Sequence, residues 1–591
     1  MKYDWQFNLG QGQSLLEKVS DTRNLSSMNF SEHDPSNLND IQKAKDRIQK
    51  AIDADEKILI YGDYDADGVT SSAILFSLLS KYTKNLQVYI PDRFTDGYGL
   101  NENTYLDIAK KEATLILTVD NGISSVSEIE YLDSQAIDTI VFDHHQVGPE
   151  IPEAFAIVHP ELSLDYPFNN LSGAGVAYKF AQFFDGSDYS ELAAVGLVAD
   201  VMPMVDENRT IVLKGLEKIN RTENLGISSL LEAAGVTFPI DSTKIGFQLA
   251  PRLNSFGRID DAKKAFRLLT TTDQVEAQGL AKLANSLNTK RQNLVSSSID
   301  SAKNQVKDSG IIVVFGDNWN EGIIGLIAGR LVQEYNRPAI AFTKADGVLK
   351  GSARSTDDVN IFEILDSNRE LFETLGGHRQ AAGMSILEGN FKELVRRLSS
   401  IESQIEKPVL KIDAELSVKN ETVREIEQLS ELQPFGNSNP EPNFIIENAR
   451  VADIRLMGKQ NNVAKITLEN HSIELLMFQV DNLDFQIGDS MSFVGHLGIN
   501  EWRNNKTPQM IVEDYGLNNL PTKKDFARTF TRLKASSIEY QEGDFIVNVF
   551  KELGFVRIDN GFVYLNSEIT NINLINSRIY QERIKNDSRP S

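Results

Sequence analysis

Three times within the first 145 residues, a short apolar run stops on a turn that carries an acid in its first two positions. Ile58-Leu59-Ile60-Tyr61 runs into Gly62-Asp63-Tyr64-Asp65-Ala66-Asp67-Gly68. Residues 114–119 (TLILTV) run into Asp120-Asn121-Gly122, and 139–142 (TIVF) into Asp143-His144-His145. Unbroken β-rich runs of this length predict strands buried on both faces, as in a parallel sheet. Parallel α/β sheets place their ligands beyond the strands' C-terminal ends, so the three polar turns are predicted to share one rim. Asp63, Asp65 and Asp67 would repel one another across five residues unless a cation lay between them. Taken alone, that first stretch also fits a plain polar turn with a helix cap, because 69–75 (VTSSAIL) reads as a helix start.

The chain has no cysteine, so thiolate sites and disulfides are excluded and any metal must be held by oxygen and imidazole. That donor chemistry suits Mn²⁺ or Mg²⁺. Two of the seven histidines stand side by side at 144 and 145, which favours a functional reading over a structural one. Residues 190–204 (SELAAVGLVADVMPM) read as one apolar helix interrupted by Asp200. A buried lone carboxylate is costly, so Asp200 is either an end cap or a further ligand, and the ligand is favoured.

A length of 591 residues predicts three to four domains. No run of about 18 apolar residues exists, so no membrane span is expected. The first residues, MKYDWQFNLGQGQS, lack an apolar signal core, so a cytoplasmic protein is expected. The net charge of −24 disfavours broad electrostatic binding of duplex nucleic acid and predicts phosphate contacts concentrated in a few arginines.

Residues 38–53 show helical spacing and are expected to cover an edge of the first sheet, within an N-terminal cover over 1–50. A strand is predicted at 87–90, followed by a loop carrying Arg93. From 205 to 310 the chain reads as mostly helical, with a long connector over 273–307. Within this region, 241–300 holds nine basic and six acidic residues, a modest phosphate-contact signal. Residues 310–401 read as a second α/β domain with strands at 311–315 and 338–343 and a glycine-rich helix at 322–330. There, 350–355 (KGSARS) and 376–383 (GGHRQAAG) pair small residues with Arg, Ser or His donors, as a site gripping a phosphodiester requires; tight glycine packing is the plain alternative. A turn-rich bridge at 433–442 precedes five short strands, which predict an OB-like barrel. Phe478, Trp502 and Lys506 could contact a single strand there, or Phe478 could be core. The tail, 521–591, carries a helix-like stretch at 545–553 and no assignable role.

Together GDYDADG, VDNG, FDHH and GLVADVMP resemble the four metal motifs of the DHH phosphoesterase superfamily. APRLNSFGR, GSARS and GGHRQAAG are similar to elements of the RecJ family, single-strand-specific 5′→3′ exonucleases. The resemblance covers roughly 50–515 and implies an α/β fold: a parallel-sheet DHH domain at 51–270, a helical connector at 271–309, a DHHA1 domain at 310–405 and an OB-like barrel at 406–520. It implies two Mn²⁺ or Mg²⁺ ions held by Asp63, Asp65, Asp67, Asp120, His144 and Asp200, with Asp120 bridging. Asp120, His144 and His145 would be catalytic, His145 as a ligand or a contact to the scissile phosphate. Arg93, Arg252, Arg258, Ser352, Arg354 and His378 would contact substrate. Some relatives carry histidine where this chain has Tyr61, which implies one fewer imidazole on a metal. The implied activity is two-metal hydrolysis of single-stranded DNA from the 5′ end in repair and recombination, by a monomer supplied by a helicase and a single-strand-binding protein. The rivals are a DHH enzyme for short oligonucleotides or small phosphate esters, which needs no barrel, and a non-catalytic scaffold, which would show broken metal motifs.

Overall fold

The computed structural model describes residues 3–10, 12–23, 31–96, 99–101, 104, 113–307, 310–345, 347–399, 401, 407–416, 423–458, 461–478, 480, 483–502, 505–517, 523–535, 537–540, 545–559, 561–566, 574 and 577–579. The chain divides into two units: 28–405 with 433–440, and 1–27 with 406–432 and 441–591. Strand β1 (Asp4–Phe7) belongs to the second of these.

In the first unit, β2 (Ile58–Tyr61), β3 (Leu86–Tyr89), β4 (Leu115–Val119), β5 (Asp138–Phe142) and β6 (Ala156–Val158) form an all-parallel sheet in the order β3-β2-β4-β5-β6. Every side chain of β2 and β4 is buried, which explains their unbroken apolar sequence. The order reverses between β2 and β4, the crevice where such sheets bind ligands. At the opposite end, Arg47 bridges Glu56 (2.7 Å) and Asp138 (2.5 Å), beside the starts of β2 and β5. Arg47 lies on the helix Ile41–Asp53, whose Ile41, Ala44, Ile48 and Ala51 enter the sheet's core.

The helix Ala66–Leu79 follows β2 and is buried almost all round, which is possible because its polar side chains are small and turn back on the helix. Thr70 donates to the Ala66 carbonyl (2.8 Å) and Ser72 to that of Gly68 (2.7 Å). It packs against the helices Gly173–Asp185 and Ser190–Ala199. The apolar helix expected over 190–204 therefore stops at Ala199. Asp200 occupies the C-cap, and Val201 turns the chain with φ +56° ahead of Pro203, which could not continue the helix.

The connector is a single 30-residue helix, Gln274–Lys303. It leads to β7 (Ile312–Gly316), β8 (Ala339–Ala345), β9 (Val348–Arg354), β10 (Phe372–His378) and β11 (Ala381–Ile386), ordered β10-β11-β9-β8-β7, with β7 and β8 parallel and the rest antiparallel. GSARS is the end of β9, and GGHRQAAG is the β10–β11 hairpin that reaches β9 through β11.

In the second unit, β1 pairs in parallel with β12 (Val409–Ile412). Beyond it, β13 (Ala414–Glu415), β14 (Phe444–Met457), β15 (Val463–Leu468), β16 (Glu474–Phe478), β17 (Ser490–Trp502) and β18 (Asn505–Leu517) form a sheet that the β14–β17 pairing closes into an OB-like barrel. Phe478 is exposed rather than core. Lys506 is engaged by Glu427 at 2.7 Å, and the Trp502 side chain lies outside the described residues. Two helices, Lys523–Ala535 and Phe545–Glu552, follow the barrel. No described helix is long and apolar enough to cross a membrane.

Candidate active site

The acidic turns after β2, β4 and β5 do converge on one rim. Asp63, Asp65 and Asp120 bring carboxylate oxygens within 4.8 Å of one another, and so do the ligand atoms of Asp67, His144 and Asp200. Asp120 joins the two groups: its Oδ1 lies 3.0 Å from His144 Nε2, which is itself 3.8 Å from Asp67 and 3.7 Å from Asp200. Asp120 holds φ +62°, a left-handed conformation uncommon for a non-glycine residue.

Each carboxylate is held by the local fold. Asp65 caps the helix Ala66–Leu79, accepting from the amides of Asp67 and Gly68 at 3.0 Å each. Asp67 crosses to the N-terminus of the helix Gly173–Asp185, where Ser172 Oγ (2.8 Å), Gly173 N (2.7 Å) and Ala174 N (3.1 Å) donate to it. Two glycines make the room: a Cβ on Gly173 would lie 2.6 Å from the Asp120 Cβ, and one on Gly196 would lie 2.3 Å from Asp67 Oδ1. Asp63 is different. It is buried, and its Oδ1 has no hydrogen-bond partner among the described residues.

The electrostatics follow from that crowding. Burial, then the Asp65 charge, pushes Asp63 up to about 8. Burial and the charges of Asp67 and Asp65 push Asp200 up to about 8. Burial and the neighbouring acids raise Asp120 well above the carboxylate range. Asp67 rises only to about 6, because burial and Asp65 are opposed by its three donors. Burial and the adjacent His145 charge push His144 down to about 3. Among the described residues, the acids of the rim thus outnumber its one cationic side chain, His145, which Asp143 already engages. The rim's orphaned oxygen, desolvated carboxylates and imidazole fit hard divalent cations such as Mn²⁺ or Mg²⁺.

Two neighbours are spoken for. Asp143 accepts from the amides of Ile123 (2.9 Å), His144 (2.8 Å) and His145 (3.2 Å), and its Oδ1 lies 2.7 Å from His145 Nδ1. Although burial opposes its charge, the His145 bond holds Asp143 well below the usual range, and in return Asp143 lifts His145 to about 9 against burial. Asp143 is an orienting partner; the sequence places its turn on the shared rim without giving Asp143 a role, and its position directly before two histidines is the available signal. Tyr61 is also committed: it is fully buried, stacks on Tyr89 and donates to the Gly99 carbonyl at 2.9 Å, so its hydroxyl does not replace a missing imidazole.

Next to the rim lies a cleft of about 420 Å³ whose wall includes Tyr64, Arg93, Arg258, Lys350, Ser352 and Arg354. Tyr64 stands between Asp63 and Asp65 in the chain and carries the Arg93 guanidinium over its ring at 4.0 Å. Arg93 Nε donates to the Gly257 carbonyl (3.1 Å), and Arg258 Nη1 to that of Gly322 (3.2 Å). Arg354 donates to Ser352 Oγ at 3.1 Å, and Glu321 holds Lys350 at 2.9 Å. Among the described residues no carboxylate forms an ion pair with Arg93, Arg258 or Arg354. Burial, then Arg93, Arg291 and Arg354, lowers Arg258, and burial with Arg93 lowers Arg354. Guanidiniums crowded together without acids create a demand for an anion.

Two predicted contacts do not line this cleft. Arg252 turns onto the connector helix, donating to Asn285 Oδ1 (3.0 Å) and the Gln248 carbonyl (2.5 Å), and is absent from the cleft wall. His378 is exposed at the end of β10, near enough to Arg354 and His145 that both charges, after burial, lower it. Arg291 was missed; it is on the connector helix with a buried Nε that has no partner, and nothing in its local sequence distinguished it.

Comparison with known proteins shows the family. Family models match at 57–202 (DHH family, N-terminal domain), 307–404 (DHHA1 domain), 412–514 (RecJ OB domain) and 522–588 (single-strand DNA-specific exonuclease, C-terminal domain). The single-stranded-DNA-specific exonuclease RecJ of Bacillus subtilis is 40% identical over 502 residues, a match covering 82% of this chain and 64% of that protein. RecJ of Dickeya dadantii is 32% identical over 524 residues, covering 80% of this chain and 90% of that protein. RecJ of Thermus thermophilus, solved in complex with Mn²⁺, superposes with TM-score 0.76 at 26% identity, covering 88% of this chain and 80% of that one. Its Mg²⁺ complex shows the same fold at TM-score 0.70 and 24% identity, covering 87% of this chain and 78% of that one. The chain belongs to the RecJ family of single-stranded-DNA-specific exonucleases.

Proposed function

We propose that this chain is a metal-dependent exonuclease that degrades single-stranded DNA from its 5′ end, releasing 5′-mononucleotides. The observation that carries the reading is the pairing, in one unit, of a cation-seeking carboxylate rim with an arginine-lined cleft that seeks an anion. A terminal phosphate in the cleft would leave the next phosphodiester over the rim, which accounts for an exonuclease and for its polarity.

Asp63, Asp65, Asp67, Asp120, His144 and Asp200 would hold two Mn²⁺ or Mg²⁺ ions, with Asp120 between them. When bound, the ions supply Lewis-acid stabilisation of the phosphate and activation of water at neutral pH. Arg258, Arg354 and Ser352 bind the terminal phosphate, and Arg93, braced on Tyr64, holds the strand at the junction between cleft and rim. His145, fixed through Nδ1 by Asp143, contacts the scissile phosphate, with His378 facing it from the β10–β11 hairpin. Arg252 acts indirectly, by fixing the helix Ala250–Ile259 on the connector.

The barrel, at 406–520, would hold the strand 3′ of the site through Phe478 rather than Lys506. A helicase and a single-strand-binding protein in the cytoplasm would supply the strand to a monomer, with 51–270, 271–309 and 310–405 forming the nuclease proper.

The test is digestion of a single strand labelled at one end or the other, with Mn²⁺, Mg²⁺ or EDTA, beside a duplex and a dinucleotide. Metal-dependent release of mononucleotides from the 5′ end with the duplex spared is expected. Cleavage of the dinucleotide alone would move the chain to small substrates.

A further inference from the structure

The segment 433–440 (QPFGNSNP) reads in sequence as a bridge into the barrel, and on both sides it runs into the barrel unit, yet the segment itself packs in the nuclease unit. It forms a tight turn in which the Gly436 and Asn439 backbones bond each other (2.9 and 3.2 Å) and Asn439 Nδ2 donates to the Pro434 carbonyl (2.8 Å). This turn grips the short stretch that follows Asp200. Asn437 Nδ2 donates to the Val201 carbonyl at 3.0 Å, and the Met204 amide donates to the Asn437 carbonyl at 2.7 Å. Gly436 lies against Met204, where a Cβ would stand 2.6 Å from Cγ. Ser242 Oγ donates to the Phe435 carbonyl at 2.7 Å, anchoring the turn from a second side.

What it grips needs support. Val201 is β-branched and holds φ +56°, a conformation that persists only where the surroundings over-determine it. Asp200 sits on the helix C-cap with, among the described residues, no backbone donor of the kind that fixes Asp65 and Asp67, and it is partly exposed. From the inner side, Asn208 Nδ2 holds the Pro203 carbonyl at 3.1 Å. The bonds of Asn437 close the outer side.

We infer that the 433–440 turn is a positioning element for Asp200, with Asn437 as its working residue, so that the metal site containing Asp67, His144 and Asp200 is completed by a segment from between the barrel-unit stretches of the chain. This rests on the reading of Asp200 as a metal ligand. Partners that orient ligands typically change metal affinity 10- to 100-fold, and one exposed hydrogen bond should fall at or below the lower end.

The test is titration of the full-length protein with MnCl₂ by calorimetry, for the wild type, Asn437→Ala, Asp200→Asn and the double variant, with melting temperatures in EDTA. Asn437→Ala should weaken one of two Mn²⁺ steps about three- to tenfold, leave the other step and the EDTA melting temperature unchanged, and add nothing in the Asp200→Asn background. Unchanged Mn²⁺ binding in Asn437→Ala, or equal loss in both backgrounds, would overturn the inference. Wild-type binding of two ions by Asp200→Asn would instead overturn the ligand reading beneath it.

Discussion

The two walls of the nuclease unit are electrostatic opposites built by the same means. On the rim of the first sheet, four acids crowd together, Asp63, Asp67 and Asp120 buried and Asp200 partly so, until their carboxyls rise, with Asp63 and Asp200 reaching about 8. In the cleft beside it, Arg258 and Arg354 are half-buried near other guanidiniums, and desolvation with those like charges lowers both. Among the described residues, Asp63, Asp67 and Asp200 on the rim have no Lys or Arg ion-pair partner, and Arg93, Arg258 and Arg354 in the cleft have no carboxylate one, although Asp143–His145 and Lys350–Glu321 pair beside them. The Arg47 pairs at the far end of the sheet show that the fold can neutralise a buried charge where no ligand is needed. A region that keeps its like charges unpaired is destabilised for what it binds.

That contrast can be broken at several points. The largest effect should come from Asp120→Ala, which removes the group between the two ligand sets; nuclease activity on a labelled single strand should fall about 10³-fold or more. Next, Arg354→Ala or Arg258→Ala should lower kcat/KM for a 5′-phosphorylated strand roughly 10²-fold while hardly changing that for a 5′-hydroxyl strand. Lysine at either position should restore little, since it lacks the planar fork. A loss that ignored the terminal group would remove the phosphate assignment.

Stability sharpens the comparison from the other side. Asp63→Asn replaces a buried carboxyl whose charge burial already disfavours and whose Oδ1 is orphaned among the described residues, so the melting temperature in EDTA should hold or rise by a few degrees. The same variant should show a smaller Mn²⁺-induced rise than wild type, because ligand binding stabilises by mass action. A fall in EDTA would mean that Asp63 serves the fold rather than a cation. Smallest of all, Ser352→Ala removes one neutral donor beside Arg354 and should cost about three- to tenfold on the phosphorylated strand.

Much of this was legible before the structure, for definable reasons. Asp63, Asp67, Asp120 and His144 follow strands whose burial dictates an unbroken apolar run, so period and punctuation mark both the sheet and its rim. Asp200 was harder. Its helix looked continuous to Met204, and only the left-handed turn at Val201, which no residue type announces, ends it at Ala199. Arg252 and Arg258 share one motif six residues apart, yet their directions on the helix Ala250–Ile259 separate them, one to the connector and one to the cleft. The 433–440 turn was read as a bridge because its composition describes a turn and carries no record of what the turn rests on.

The central claim is that the two walls hold one strand end between them, and the most direct measurement is a crystal structure with Mn²⁺ and a 5′-phosphorylated dinucleotide. The account predicts two anomalous peaks, one among Asp63, Asp65 and Asp120 and one among Asp67, His144 and Asp200, with the terminal phosphate on Arg258, Ser352 and Arg354. A terminal phosphate bound away from those arginines, or manganese absent from the rim, would contradict it.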